Sequence, residues 1–298
     1  MKLAVNYSPA LAELVARGRA EVDLYKLPAW PDLVAKLSTD GVGPSYIHFP
    51  LLVGTGAGGP IDTETNAAPD WAQIDALLET THTPWVSAHM GPRPEDHPGL
   101  VGITPEAQVK TLIQMLIADL HPLVTRYGPE RIVGENIFEF YGMHLRAAMF
   151  PEVLSGAIEA SGCGFLLDLS HAQLAARALG VDPYAYVEAL PVTRIREIHV
   201  TGVQRFDAPW IDRARATGVD PHLIGQLADQ YVDHLPMIDD DWTFLAWALD
   251  RIRAGAWATP EIVAYECGGV GPLFAALTLP EVLEDQVPRL YTMVHASP

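Results

Sequence analysis

FLLDLSH, residues 165–171, decides the fold. It is a short apolar run, read as a strand over 165–169, with Asp168 near its end and His171 in the turn that follows. A carboxylate and an imidazole placed together where a strand stops are what a parallel β/α barrel uses to build a metal centre in its mouth. D-x-x-H alone is a weak motif, but the arrangement recurs in both directions along the chain. His48 lies in YIHFP, His89 in VSAHMG, Glu135 in IVGENI, His199 in EIHVTG and Glu266 in VAYECGG, each at or near the end of an apolar segment. A lone histidine on such a strand is usually a satisfied core residue, so the joint pattern carries the reading. Buried carboxylates are costly unless a cation offsets them, and Lys and Arg are scarce beside Glu135, Asp168 and Glu266.

Eight strand-like segments are present, at 3–7, 22–27, 45–49, 85–89, 131–136, 165–169, 195–200 and 261–266. Apolar residues at three and four spacing predict a helix over 106–127 behind Thr104 and Pro105, and others over 151–160, 172–179 and 242–255. Alternating strands and helices imply a parallel sheet, and eight strands imply an α/β fold that is a single (β/α)8 TIM barrel over 1–298. Residues 203–241 read as a long loop or lid before the last helix and strand, with 203–230 its unstructured stretch. VGTGAGGP at 53–60 lacks the strand, turn and helix context of a phosphate loop and reads as a flexible loop at the mouth.

The formal charge of −18, from 37 acidic and 19 basic residues, repels polyanions and excludes nucleic acid as an expected partner. A hydrophobic fraction of 49% suffices for a large core. There is no long uninterrupted apolar run, and the opening residues turn polar too early for a signal peptide, so no membrane partner and a cytoplasmic location are expected. Cys163 and Cys267 are too few for a disulfide framework and read as packed thiols. No G-x-S-x-G occurs, which leaves covalent serine catalysis without support. His82, His97, His121, His144, His222 and His295 have no acidic partner at ligand spacing and read as structural or exposed.

The candidate metal ligands are thus His48, His89, Glu135, Asp168, His171, His199 and Glu266, with Asp233 and His234 of YVDHLP able to complete the shell from the 203–241 region. These exceed what one ion takes. The expectation is two or three ions with Glu135 as a bridge; a mixed oxygen and nitrogen shell without thiolate suits iron, zinc or manganese. Glu135 and Glu266 are the candidate catalytic carboxylates. The amide of Asn136 is read either as a metal or substrate contact or as a structural hydrogen bond.

The order H, H, E, D-x-x-H, H, D/H, E resembles the xylose isomerase-like TIM-barrel superfamily. More finely, VSAHMG, GENIFEFYG, LLDLSHAQLAA, LPVTRIREIHVTG, PMIDDDWTFLAWAL and VAYE resemble the multinuclear non-heme iron-dependent oxidases that include the methanobactin biosynthesis oxidase, as a divergent member. The departures are Val203 where many members have a histidine, Tyr231, Val232 and Asp233 where they have D-x-H, and no acidic residue at the end of VDLYKLP. The resemblance implies two or three irons that activate dioxygen to oxidise a substrate such as a peptide cysteine, which a small partner protein presents. The alternatives from the residues are a redox-neutral sugar isomerase or epimerase acting on a small molecule, which the lack of any strand lysine but Lys26 weakens, and a degenerate barrel without turnover. A DNA repair endonuclease conflicts with the acidic charge.

Overall fold

A computed structural model describes residues 1–139 and 142–296; Phe140 and Tyr141 of GENIFEFYG lie outside the described residues. The strands are β1 (Lys2–Asn6), β2 (Leu24–Pro28), β3 (Ser45–His48), β4 (Leu51–Val53), β5 (Ile61–Asp62), β6 (Val86–Met90), β7 (Ile132–Glu135), β8 (Gly164–Asp168), β9 (Ile195–Val200), β10 (Gly202–Arg205), β11 (Tyr231–Leu235) and β12 (Ile262–Tyr265). The main sheet runs β3-β2-β1-β12-β9-β8-β7-β6-β4-β5, and every pairing in it is parallel except that of β4 with β5. All eight strands read from the sequence are in this sheet.

The row closes on itself through the chain. β3 and β4 are two halves of one extended segment interrupted at Phe49 and Pro50; the first half pairs with β2 and the second with β6. Proline has no N–H to give to a ladder, so the segment changes neighbour there. The seam is fastened by His82 N–H donating to Ser45 O at 2.8 Å, Ile47 N–H to Thr83 Oγ1 at 2.8 Å and Phe49 N–H to Ser87 Oγ at 3.2 Å. The result is an eight-staved barrel with β5 as an appendage.

Helices cover the outside: α1 (Pro9–Ala16), α2 (Pro31–Thr39), α3 (Trp71–Thr80), α4 (Pro105–Tyr127), α5 (Pro151–Ser161), α6 (Leu169–Leu179) and the short α7 (Pro183–Glu188). Between β9 and its covering helix α10 (Asp239–Arg253) lie α8 (Ala208–Ala216) and α9 (Pro221–Leu227), and α11 (Pro272–Leu277) and α12 (Pro280–His295) follow β12. α6 starts earlier than its apolar pattern because Asp168 caps it, accepting from Ser170 N–H at 2.7 Å and His171 N–H at 2.8 Å.

Segment 203–230 corrects the sequence reading. It is not a loop: β10 and β11 form an antiparallel hairpin around α8 and α9. Phe206, Ala214, Val219, Ile224, Leu227, Val232 and Leu235 form a small core of its own with Ala276 and Leu277 of α11. Elements this short show too few turns for periodicity to reveal them. The glycine run after β4 is likewise fixed rather than loose. The buried carboxylate of Asp119, on α4, accepts from the amides of Gly54, Gly56 and Gly58 at 2.9, 3.0 and 2.8 Å, taking the donors that a phosphate would need.

Candidate metal centre

Inside the barrel, side chains alternate with the pleat. The lower layer is Ala4, Leu24, Tyr46, Trp85, Val133, Leu166, Ile262 and Ala264, a separate buried cluster, with Glu197 of β9 completing it. Further along the staves, toward the mouth, come Asn6, Lys26, His48, His89, Glu135, Asp168, His199 and Glu266, two residues on from the lower layer except for His89, which stands four residues beyond Trp85. Asn6 is level with Lys26, His89 with Glu135 and Asp168 with His199. Each stave therefore contributes one polar or ionisable side chain to a single ring. Six of the eight were read from the sequence; Asn6 and Lys26 were not, although counting two onward from Ala4 and Leu24 finds both.

The ring converges on Glu135. His48 Nε2 and His89 Nε2 lie 3.5 and 3.3 Å from its Oε2, and His171 Nδ1 and His199 Nδ1 lie 3.6 and 3.5 Å from its Oε1. His199 Nδ1 is also 3.4 Å from Glu266 Oε2 and 3.9 Å from Asp168 Oδ2, and His171 Nε2 is 3.5 Å from Asp168 Oδ2. Ligands about 2.1 Å from a tetrahedral ion lie about 3.4 Å from one another. Three sets of donors fit around an ion: His48, Glu135 and His199; Glu135, Asp168 and His171; Asp168, His199 and Glu266.

Three atoms in this cluster, Glu135 Oε2, Asp168 Oδ2 and His199 Nδ1, are buried without a hydrogen-bond partner. Buried polar atoms are nearly always satisfied. That all three orphans point into one cluster of imidazoles and carboxylates fits a set of donors built for metal ions.

The imidazoles are held in place from behind. Nδ1 of His48 is 3.2 Å from Ser87 Oγ, that of His89 3.3 Å from Leu51 O, that of His171 2.8 Å from Asn136 O and that of His234 2.8 Å from Glu266 O, which aims each Nε2 inward. His199 is turned the other way: Nε2 is 2.8 Å from Glu197 Oε1, and Nδ1 faces the cluster. Glu197 is itself fixed by Tyr46 Oη at 2.7 Å and Trp85 Nε1 at 2.5 Å. A carboxylate behind a ligating histidine sets its tautomer and basicity. Glu197 was missed from the sequence, although it stands two residues before His199 on the same stave.

Asp233 and His234 reach the centre from β11. Asp233 Oδ2 is 3.1 Å from His171 Nε2 and 3.8 Å from His234 Nε2. Consecutive residues of a strand point to opposite faces, but His234 has φ of +61°, and this left-handed turn swings its side chain back beside Asp233. The structure thus brings together all nine candidate ligands.

Asn136 does not join them. Its Nδ2 donates to Asp168 O and its Oδ1 accepts from Asp168 N–H, both at 2.9 Å, so the amide is used in tying β7 to β8 and is free for neither metal nor substrate. Cys163 and Cys267 are buried free thiols, and burial pushes the latter up to about 12. His97 Nε2 donates to Gly54 O at 2.6 Å, away from the cluster.

Burial lowers Lys26 to about 8, and its ammonium pairs with Glu266 Oε1. Burial pushes His48, His89 and His234 below the usual imidazole range, which suits neutral ligands. For His171 burial acts the same way, but the carboxylates of Asp168, Asp233 and Glu135 outweigh it and raise the ring to about 10. Asp233 is held at about 2: burial opposes this, and His234 and His171 prevail.

Two cavities meet the cluster. The larger, about 590 Å³, has His48, Glu135, Glu266 and Lys26 at its floor and Tyr7, Trp30, Leu273 and Phe274 on its walls. The smaller, about 290 Å³, reaches His89, His171 and Asp233 between Ile137, Leu227 and Val232, and includes His144, whose position beside the cluster its sequence context did not reveal. The arrangement is a buried set of metal-ligand side chains with open space above it.

Among curated proteins, a UPF0276 protein of Anaeromyxobacter sp. (strain Fw109-5) is 40% identical over 74 residues, 24% of this chain and 25% of that protein. A UPF0276 protein of Caulobacter vibrioides (strain NA1000 / CB15N) is 26% identical over 155 residues, 49% of this chain and 52% of that protein. The matched stretches thus span a quarter to about half of these relatives. Among solved structures, a xylose isomerase domain-containing protein from Salmonella typhimurium LT2 covers 99% of this chain and 97% of its own at a TM-score of 0.53 and 16% identity. A D-psicose 3-epimerase from Clostridium cellulolyticum H10, solved with D-tagatose, covers 97% and 96% at 0.50 and 10%. At such identities the likeness shows the fold alone: a TIM barrel. The family described as RiPP precursor modification enzyme MbnB/TglH/ChrH matches residues 56–243, more than half of the chain and a stretch holding seven of the nine candidate ligands, and the chain belongs to that family.

Proposed function

We propose that this protein is a multinuclear iron oxidase that uses dioxygen to oxidise a peptide substrate at a cysteine, with a small partner protein presenting the peptide. The observation that carries the reading is the set of orphaned donor atoms, Glu135 Oε2, Asp168 Oδ2 and His199 Nδ1, gathered in one buried cluster whose Glu135 lines a cavity of about 590 Å³. The family description supports a peptide substrate, and the cavity's Tyr7, Trp30, Leu273 and Phe274 supply apolar wall for one.

His48, His89, Glu135, Asp168, His171, His199, Asp233, His234 and Glu266 would hold the ions, with Glu135 offering one oxygen to each side. Iron bound there would supply the redox chemistry for dioxygen reduction. The chain's own contribution is placement and exclusion of water. Glu197 fixes His199, the backbone carbonyls of Leu51, Asn136 and Glu266 fix His89, His171 and His234, and Tyr46 and Trp85 close the barrel below. A ring held this rigidly needs no reorganisation when charge develops above it.

Anaerobic purification with elemental analysis and Mössbauer or EPR spectroscopy tests the reading. The expected result is iron at two or more equivalents and oxygen uptake with a cysteine peptide. Retention of zinc or manganese after iron is supplied, with no oxygen uptake on any thiol substrate, overturns it.

One observation favours a second reading. Lys26, the strand lysine that an isomerase or epimerase would use beside a carboxylate, stands in the ring against Glu266. That enzyme would turn over a sugar anaerobically with zinc, manganese or magnesium. A degenerate barrel would bind less than one equivalent of any metal.

A further inference from the structure

We propose that Lys26 is a built-in cation that takes one pole of the centre and limits this chain to two metal ions. The inference rests on the metal-centre reading and goes beyond it by fixing the count. Lys26 comes from β2 and Glu266 from the residue after β12; their side chains are only 4% and 6% exposed, and the ammonium contacts Glu266 Oε1. Of the three donor sets, the one made by Asp168, His199 and Glu266 leans on the carboxylate that Lys26 already holds. The other two sets meet at Glu135 and do not use Glu266.

Charge gives the same answer independently. Five carboxylates stand in or directly behind the cluster: Glu135, Asp168, Glu197, Asp233 and Glu266. Among the described residues, Lys26 is the one Lys or Arg side chain paired with any of them. Two divalent ions and one ammonium balance five carboxylates charge for charge. A third divalent ion would leave a buried excess of two positive charges and would lie beside an ammonium, and uncompensated buried charge is what such sites avoid. An acidic residue at position 26 would instead repel Glu266 and call for a further cation.

The test counts ions per chain by plasma mass spectrometry after anaerobic loading with iron, and separately with manganese, for wild type, Lys26→Glu, Lys26→Met and the exposed control Lys36→Met. Circular dichroism and thermal melts check that each is folded. Expected are two ions in wild type and in Lys36→Met, and a rise toward three in Lys26→Glu. Lys26→Met should fall between, since it frees Glu266 without adding a ligand. Three ions in wild type with Lys26 intact, or two in a folded Lys26→Glu, overturn the role of Lys26 and leave the metal centre standing. Less than one ion in wild type removes the centre itself. The wild-type count decides even where the variants fail to fold.

Discussion

The ring of eight stave residues and the pair Asp233–His234 serve one cluster by different means. Ring residues are placed by the pleat: once a stave's interior face is known, every second residue follows, and backbone pairing to neighbours on both sides fixes its height. Asp233 and His234 are placed by an excursion of more than thirty residues with its own small core and by one residue held at positive φ. The first kind of site is as rigid as the barrel. The second can be lost while the barrel stands.

The largest expected effect breaks the ring at its centre. Glu135→Gln removes the charge that both sides of the cluster share, and metal affinity should drop by more than about a hundredfold, with at least one ion lost, since removing a partner from buried charges costs several kcal/mol. An unchanged ion count by elemental analysis would show that Glu135 is not the bridge. Next comes the excursion. A Cβ on Gly202 would strike the carbonyl of Pro236, so Gly202→Ala should cost about 1–3 kcal/mol and displace the hairpin. Limited proteolysis should then cut within 206–230 while the barrel amides stay protected; a uniform loss of protection would mean that the two regions fold as one.

Smaller effects test the lower layer. Glu197→Gln keeps the shape but weakens the hold on His199, and affinity should fall about 10- to 100-fold, with His199→Ala adding little to it. Additive losses would place Glu197 outside that path. The smallest concerns pH. In the metal-free protein His171 has its folded value raised to about 10 from an ordinary 6.5, so its stabilisation is present below 6.5 and is lost as pH rises. Lys26 acts in the opposite direction only above its folded value of about 8. Between pH 6.5 and 8 stability should therefore fall, at most about 1.4 kcal/mol per pH unit for one such group, seen as a declining melting temperature. Metal loading should abolish the decline, because ligation requires the neutral ring; a flat metal-free profile would contradict the pairing of His171 with its carboxylates.

The same contrast explains what the chain disclosed beforehand. All eight staves, and seven ligands on or just after them, follow from apolar runs that end on ionisable residues. Lys26, Asn6 and Glu197 obey the same alternation, but none is an acid or imidazole at a strand end, and the pairing of Lys26 with Glu266 joins strands far apart in sequence. Asn136 looked like part of the site because it follows Glu135, yet the pleat turns it to the neighbouring backbone. The 203–230 excursion was illegible for a different reason. Its helices are too short to display a period, and the convergence of Asp233 with His234 depends on a backbone angle that composition does not announce.

Pro50 gives the barrel a seam, and the cluster lies across it. His48 hangs from the half-stave that pairs with β2, and His89 from β6, which pairs with the other half; both imidazoles meet Glu135 Oε2. An ion held by these two histidines would act as a rivet, joining the cylinder where its hydrogen-bond lattice changes partners. Binding to the closed form alone stabilises that form, so the amides of Ile47 and Phe49, which donate across the seam, should exchange with solvent more slowly once metal is added than amides of β7 and β8 do. Equal slowing everywhere would mean that the rivet is absent.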